Sequence, residues 1–333
     1  MIKISKLIGY RGWKAWMSYD MHISFLALFY ILIVDNLFRL LDSLVLISSL
    51  GFYFMYGFLI NDFFDMPYDI ASGKKRTVHE LSRNEFIAII LTVVLISMLH
   101  LLYLKEIPYT MVYIASYLLA TLYSTPPIKF KSRGFAGIVV NGLIEKTLPV
   151  LAIFTFFNHF WIDTIIFIIT SFFVQISEII THQIYDYETD SREGCRTFVV
   201  NIGKEKALKI FKKFISPLST SFMLLLCLCI IIRIPPMCII AIVVFVAYAV
   251  IFSLISKGKL NREEKVFPLY MSCPHFLINN AFPPFLAFII SLRDPLYSIL
   301  LLISVLSQYY MVKNFFNIIR RKVILRGELS DTT

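Results

Sequence analysis

Charge is the scarcest ingredient of this chain: 16% of its 333 residues are Asp, Glu, Lys or Arg, against 58% hydrophobic. Soluble domains carry about a quarter charged residues, so this shortage, with a mean hydropathy of +0.74, excludes an ordinary water-soluble core. Cysteine is scarce too. Cys195, Cys227, Cys229, Cys238 and Cys273 show no metal or redox spacing, which excludes a zinc module or a thiol redox motif and leaves them as small hydrophobes in apolar runs. Also lacking near the start is a short apolar run closed by a small-residue cleavage site. The first helix is therefore expected to be retained.

What the chain has instead is apolar runs of about 20 residues, the length that crosses a hydrocarbon core of about 30 Å as a helix. Ten spans are expected, near 20–38, 43–62, 84–104, 108–124, 135–157, 160–185, 214–233, 235–256, 272–292 and 295–316. Pro283 and Pro284 interrupt the ninth. Basic residues test the count independently, because cytoplasmic loops are rich in Lys and Arg. Of the 32 basic residues, 27 fall in the two tails and every second loop. Both termini are then expected on the cytoplasmic side of a cytoplasmic membrane, with the whole chain, 1–333, one integral-membrane domain. The net charge of +10 follows from this topology and from attraction to anionic headgroups, which removes the case for nucleic acid as a partner.

Chemistry concentrates at two helix ends. After the second span stand Asn61, Asp62, Asp65 and Asp69. Asn61, Asp65 and Asp69 recur every four residues, so on a continuing helix they share one face, and carboxylates so stacked need a cation to hold them. Carboxylate and amide oxygens suit a hard divalent ion, and magnesium is commonly held by one or two carboxylates plus substrate phosphates. The sixth span ends in the same style, with His182, Gln183, Asp186 and Asp190, and Glu178 one turn earlier. The alternating topology puts both clusters on one membrane side, where two acidic patches can hold metal ions and clamp a diphosphate.

In these motifs the chain resembles the UbiA superfamily of intramembrane prenyltransferases. Asn61, Asp62, Asp65 and Asp69 match its Asn-Asp-x-x-Asp-x-x-x-Asp motif, and Asp186, Asp190, Gly194 and Thr197 its second. Tyr123, Ser124, Pro126, Pro127 and Lys131 resemble its Tyr-Ser-x-Pro-Pro and basic segment. The specific resemblance covers about residues 15–205. It departs at His182 and Gln183, where many members carry Asn-Asp, and at Lys74, Lys75 and Arg76, which no proline follows. The family norm of nine helices is also one fewer than the ten expected here.

The resemblance implies an all-α polytopic bundle of nine to ten spans, binding Mg2+ through Asn61, Asp62, Asp65, Asp69, Asp186 and Asp190. It implies an isoprenyl diphosphate donor and a lipophilic, aromatic acceptor. Lys131, Arg133 and Tyr123 are the expected catalytic groups; Lys75, Arg76, His182 and Arg192 are expected to bind substrate. Asn141 and Glu145, four residues apart within the fifth span, are ionisable or polar at a depth where such groups face the bundle interior, and are expected to line the acceptor pocket. Lys146 points elsewhere, towards a neighbouring acid. Tyr56, Phe64, Tyr68, Tyr123 and Tyr185 are candidates to shield an allylic cation. A terpene cyclase or a phosphoribosyl transferase would use the same metal-binding design. A transporter would explain buried acids but not paired Asp motifs on one face.

Overall fold

The computed structural model describes residues 10–17, 19–71, 73, 77–256, 272–309 and 312–313. Within the described residues, each of the ten expected spans holds a helix. They are α1 (Tyr19–Val34), α2 (Leu40–Ala71), α3 (Arg83–Tyr103), α4 (Ile107–Ser124), α5 (Phe135–Phe156) and α6 (Ile162–Tyr185). Two short helices, α7 (Tyr187–Arg192) and α8 (Phe198–Ile202), lead to α9 (Lys204–Arg233), α10 (Met237–Ser256), α11 (Cys273–Arg293) and α12 (Ser298–Ser307). Six of them, α2, α3, α5, α6, α9 and α11, are long and apolar enough to cross a membrane. Shorter apolar stretches lie in α1, α10 and α12. Among the described residues there is no strand. The protein is an integral membrane protein.

Burial separates the centre from the rim. The apolar window of α5 is 72% buried and that of α3 only 22%, so α5 is a central post and α3 a peripheral one. On α3 the exposed Leu91, Leu95, Leu99 and Leu102 form a stripe opposite the buried Phe86, Ile89 and Val93. In lipid such a stripe is a satisfied surface. Its start is fixed by a capping box in which the Ser82 hydroxyl accepts from Glu85 N–H and the Glu85 carboxylate accepts from Ser82 N–H. Around α5 pack α1, α4 and α6; α6 also carries α9, α1 carries α11, and α2 bridges α3 and α4.

Prolines shape the interior without breaking it. Leu143–Thr147, Phe211–Ile215 and Leu277–Ala281 are wide π-helical turns inside α5, α9 and α11. Each is followed by a proline, Pro149, Pro217 and Pro283. Proline has no N–H to donate and crowds the carbonyl one turn back, and a wider turn gives that carbonyl room. In α5 the carbonyl of Ile144 is taken up by the Tyr53 hydroxyl at 2.7 Å. The expected interruption of the ninth span is thus a wide turn in a continuous helix.

One buried cation ties the centre together. Lys146 has a fully buried side chain whose Nζ lies 3.2 Å from Asp20 Oδ1 of α1 and 3.2 Å from Glu178 Oε2 of α6. Glu178 Oε1 is 2.9 Å from His275 Nε2 of α11. Far along the bundle, His159 bridges Asp35 at 2.8 Å and Asp163 at 2.9 Å, and Asp163 accepts from the Tyr30 hydroxyl at 2.7 Å. Lys146→Met would leave two acids facing each other without their cation. It is expected to lower unfolding stability in detergent by about 3 kcal/mol, measured by thermal or denaturant melts.

Candidate functional site

The polar mouth is built where α2 outruns its apolar stretch. Through Pro67 the helix continues to Ala71, so Asn61, Asp65 and Asp69 occupy successive turns as expected. Asp62 is fully buried and Asp69 is 5% exposed, with His79 Nε2 3.9 Å from its Oδ2. Lys131, from the loop between α4 and α5, reaches back to this face. Its ammonium donates to Asn61 Oδ1 at 3.1 Å and pairs with the Asp65 carboxylate. Ser124, at the end of α4, also donates to Asn61 Oδ1 at 3.4 Å.

Gly137 positions that loop. A Cβ there would stand 2.5 Å from the Phe130 carbonyl oxygen and 3.3 Å from Lys131 Cα, backbone atoms that cannot swing aside. Arg133 is bonded within the same loop. Its guanidinium donates to the carbonyls of Pro127, at 3.0 Å, and of Ile128, which braces the segment that carries Lys131.

A polar track leads from the mouth into the bundle. The Tyr123 hydroxyl lies 3.5 Å from Asn141 Nδ2, which donates to Glu145 Oε1 at 2.6 Å. Asn141 and Glu145 therefore share a face as expected. Gln175 of α6 closes the group, donating to Asn141 Oδ1 at 2.9 Å and to the Glu145 carboxylate. Gln175 and Asp20 were not among the expected residues; the available signal was Gln175's place one turn before Glu178, on a helix already carrying the second motif. Beside the track Tyr53, Tyr56, Tyr113 and Tyr117 form an aromatic wall between α2 and α4, with Tyr56 and Tyr117 ring centres 4.7 Å apart and those of Tyr113 and Tyr117 5.1 Å apart.

The second motif is looser. α6 ends at Tyr185 and the chain re-forms a turn as α7, with Asp190 N–H donating to the Asp186 carbonyl at 2.9 Å, which preserves the four-residue spacing. His182 pairs with Asp186 at 3.0 Å, their side chains 71% and 51% exposed. Asp190 accepts from the Thr197 hydroxyl at 3.5 Å. Gln183, considered as a substitute metal ligand, has its Oε1 accepting from Val199 N–H at 3.2 Å and anchors α8. Arg192 donates to the Glu188 carbonyl at 3.1 Å along its own helix. Tyr185 is 51% exposed, away from the aromatic wall. Lys75 and Arg76, and the side chain of Tyr68, lie outside the described residues.

Among the described residues no three His, Cys, Asp or Glu side chains converge closely enough to enclose an ion. The donor set nonetheless fits one. Asn61 and Asp65 already direct oxygens at a single cation, the Lys131 ammonium, and hard oxygens of this kind are magnesium's usual partners.

Fold and site together define a helical intramembrane protein with an acidic, lysine-bridged mouth above a polar and aromatic interior. The UbiA prenyltransferase family model matches residues 22–280, and the chain belongs to that family. A UbiA homologue from Archaeoglobus fulgidus, solved with GPP and Mg2+, is similar over 84% of this chain and 99% of its own, at 19% identity and a TM-score of 0.58. A further structure of a UbiA homologue from Archaeoglobus fulgidus is similar over 86% of this chain and 99% of its own, at 20% identity and a TM-score of 0.60. A structure of digeranylgeranylglyceryl phosphate synthase covers 84% and 98%, at 17% identity and a TM-score of 0.51. No curated protein sequence matches significantly. Family membership supports intramembrane prenyl transfer as the general chemistry.

Two predictions follow from the Lys131 seat. Gly137→Ala is expected to displace the loop and weaken binding of magnesium diphosphate about tenfold, read by calorimetry, with the helical content by circular dichroism unchanged. Burial lowers the pKa of the Lys131 ammonium from 10.5, against the opposing pull of Asp65. Its charge is therefore lost at a lower pH than an exposed lysine's, and diphosphate affinity is expected to decline on the alkaline side below that value. Lys131→Arg, which stays charged, should flatten the decline. Stability takes the opposite sign: the unfolded chain holds this proton more tightly, so the group's contribution to folding rises as pH climbs through the folded pKa.

Proposed function

We propose that this protein transfers an isoprenyl group from a polyprenyl diphosphate to a lipophilic acceptor within the membrane, releasing diphosphate. The carrying observation is the Lys131 ammonium seated on Asn61 and Asp65 at the head of a polar track that runs beside buried aromatic rings. In this reading the whole chain is one domain, the mouth faces the cytoplasm, and both termini lie on that side.

Asn61, Asp62, Asp65, Asp69, Asp186 and Asp190 would hold magnesium, which when bound neutralises the diphosphate and polarises its bond to the allylic carbon. Lys131 is free to exchange Asp65 for the diphosphate oxygens, stabilising the negative charge that builds on the leaving group. Arg133 keeps the Lys131 loop in place. Tyr53, Tyr56 and Tyr117 offer ring faces to the allylic cation, each worth ~0.5–2 kcal/mol. They also exclude the water that would otherwise capture it. Tyr123 and Asn141 join the mouth to Glu145, where the acceptor lies.

The test is magnesium-dependent diphosphate release by the purified protein, comparing geranyl, farnesyl and geranylgeranyl diphosphates with phosphoribosyl pyrophosphate and analysing products by mass spectrometry. Release from an isoprenyl donor, lost on chelation, is expected, with a product mass equal to acceptor plus prenyl group. A cyclised hydrocarbon would identify a terpene cyclase instead, and release from the sugar donor alone would overturn the proposal. Asp65→Ala and Asp186→Ala are each expected to reduce turnover by at least about 100-fold while the protein stays folded in detergent.

A further inference from the structure

The polar track has one atom whose partner is missing. Gln175 is 3% exposed, and its amide nitrogen is fully engaged, donating to Asn141 Oδ1 at 2.9 Å and to the Glu145 carboxylate. Its carbonyl oxygen Oε1 is buried and accepts from no donor among the described residues. A buried amide oxygen normally has a partner, and the amide cannot be turned over to relieve this one, because that would set Oε1 against Asn141 Oδ1 and the carboxylate.

The surroundings specify the sign of the missing group. Glu145 accepts from both Asn141 and Gln175. Lys146, the next residue, is turned away from this spot and held between Asp20 and Glu178. Lys131 is committed to Asn61 and Asp65 at the mouth, and His275 to Glu178. The interior ammonium is thus taken up by Asp20 and Glu178, and no described cation points at the Glu145–Gln175 spot. A carboxylate or phosphate placed there would be buried beside the Glu145 carboxyl with no described cation to balance its charge. A neutral O–H or N–H would give Gln175 Oε1 its partner beside a carboxylate that accepts in the same direction.

We propose that the acceptor substrate presents a neutral hydroxyl or N–H group to Gln175 Oε1, and carries neither carboxylate nor phosphate at that end. The inference rests on the prenyl-transfer reading and names the chemical class of its second substrate. It separates acceptors of the phenol or alcohol kind from benzoate-like and glyceryl-phosphate-like ones, which need a cation at the recognition point. Gln175, Glu145 and Asn141 form the recognition group. The Asn141 contact with Tyr123, next to Ser124 on Asn61, places that group one side chain from the donor mouth.

Binding to the full-length protein in detergent tests this without knowledge of the natural acceptor. The probes are 4-pentylphenol, its methyl ether and 4-pentylbenzoate, titrated calorimetrically in the presence of magnesium and a non-hydrolysable farnesyl thiodiphosphate. The phenol is expected to bind at least about tenfold more tightly than the ether or the benzoate, a difference of about 1.4 kcal/mol. Gln175→Leu should remove that preference while leaving thiodiphosphate binding intact, which also reports that the variant is folded. Equal binding of the ether, preference for the benzoate, no phenol binding, or a preference that survives Gln175→Leu would each overturn the proposal. Failure of the thiodiphosphate itself to bind would instead strike the prenyl-donor reading, since the phenol comparison is repeated without it.

Discussion

A lysine buried in the middle of a membrane bundle is the constraint around which this molecule is arranged. Its charge is costly in hydrocarbon unless acids meet it, and Lys146 obtains them from two different helices, Asp20 on α1 and Glu178 on α6. Glu178 in turn recruits His275 from α11. Four helices distant in sequence are thereby registered by one charge network, in a medium where apolar packing alone discriminates poorly between neighbours. Each partner removes the desolvation problem of the next, so the network acts as a unit.

That network also leaves its mark on the chemistry. By holding the Lys146 ammonium on Asp20 and Glu178, it leaves Lys131 as a described cation at the mouth. The two ends of the track therefore differ in character. The mouth mixes acids and the Lys131 ammonium, suited to an anion accompanied by cations; the inner end is amide, carboxyl and phenol. A substrate pair of opposite polarity can sort itself along this gradient.

Much of this was legible in the sequence, because the bilayer writes it plainly. Apolar runs of spanning length located the ten longer helices among the described residues, and the four-residue recurrence of Asn61, Asp65 and Asp69 placed them on one helix face. The Asn141–Glu145 pairing was readable for the same reason. Long-range partners were not. Nothing in local spacing says that Lys146 will meet Asp20, or that Gln175 will close on Glu145, because those contacts depend on which helices pack together. Nor does local spacing say that the Arg133 guanidinium will bond the carbonyls of its own loop.

The proline-marked wide turns carry a further meaning for how such a chain can change. A π turn holds one residue more than an α turn, so each of Leu143–Thr147, Phe211–Ile215 and Leu277–Ala281 accommodates one more residue than an α turn in its place would. Everything downstream is rotated by about 100° relative to an all-α helix. In α5 that rotation falls between Asn141 and the rest of the post, so the turn decides which faces of Glu145 and Lys146 look inward and which look toward neighbouring helices. Losing one residue there would leave hydropathy and span length almost untouched while exchanging the occupants of the chamber wall. Which residues face the interior of such a bundle is thus adjustable by chain length at a wide turn as well as by side-chain replacement.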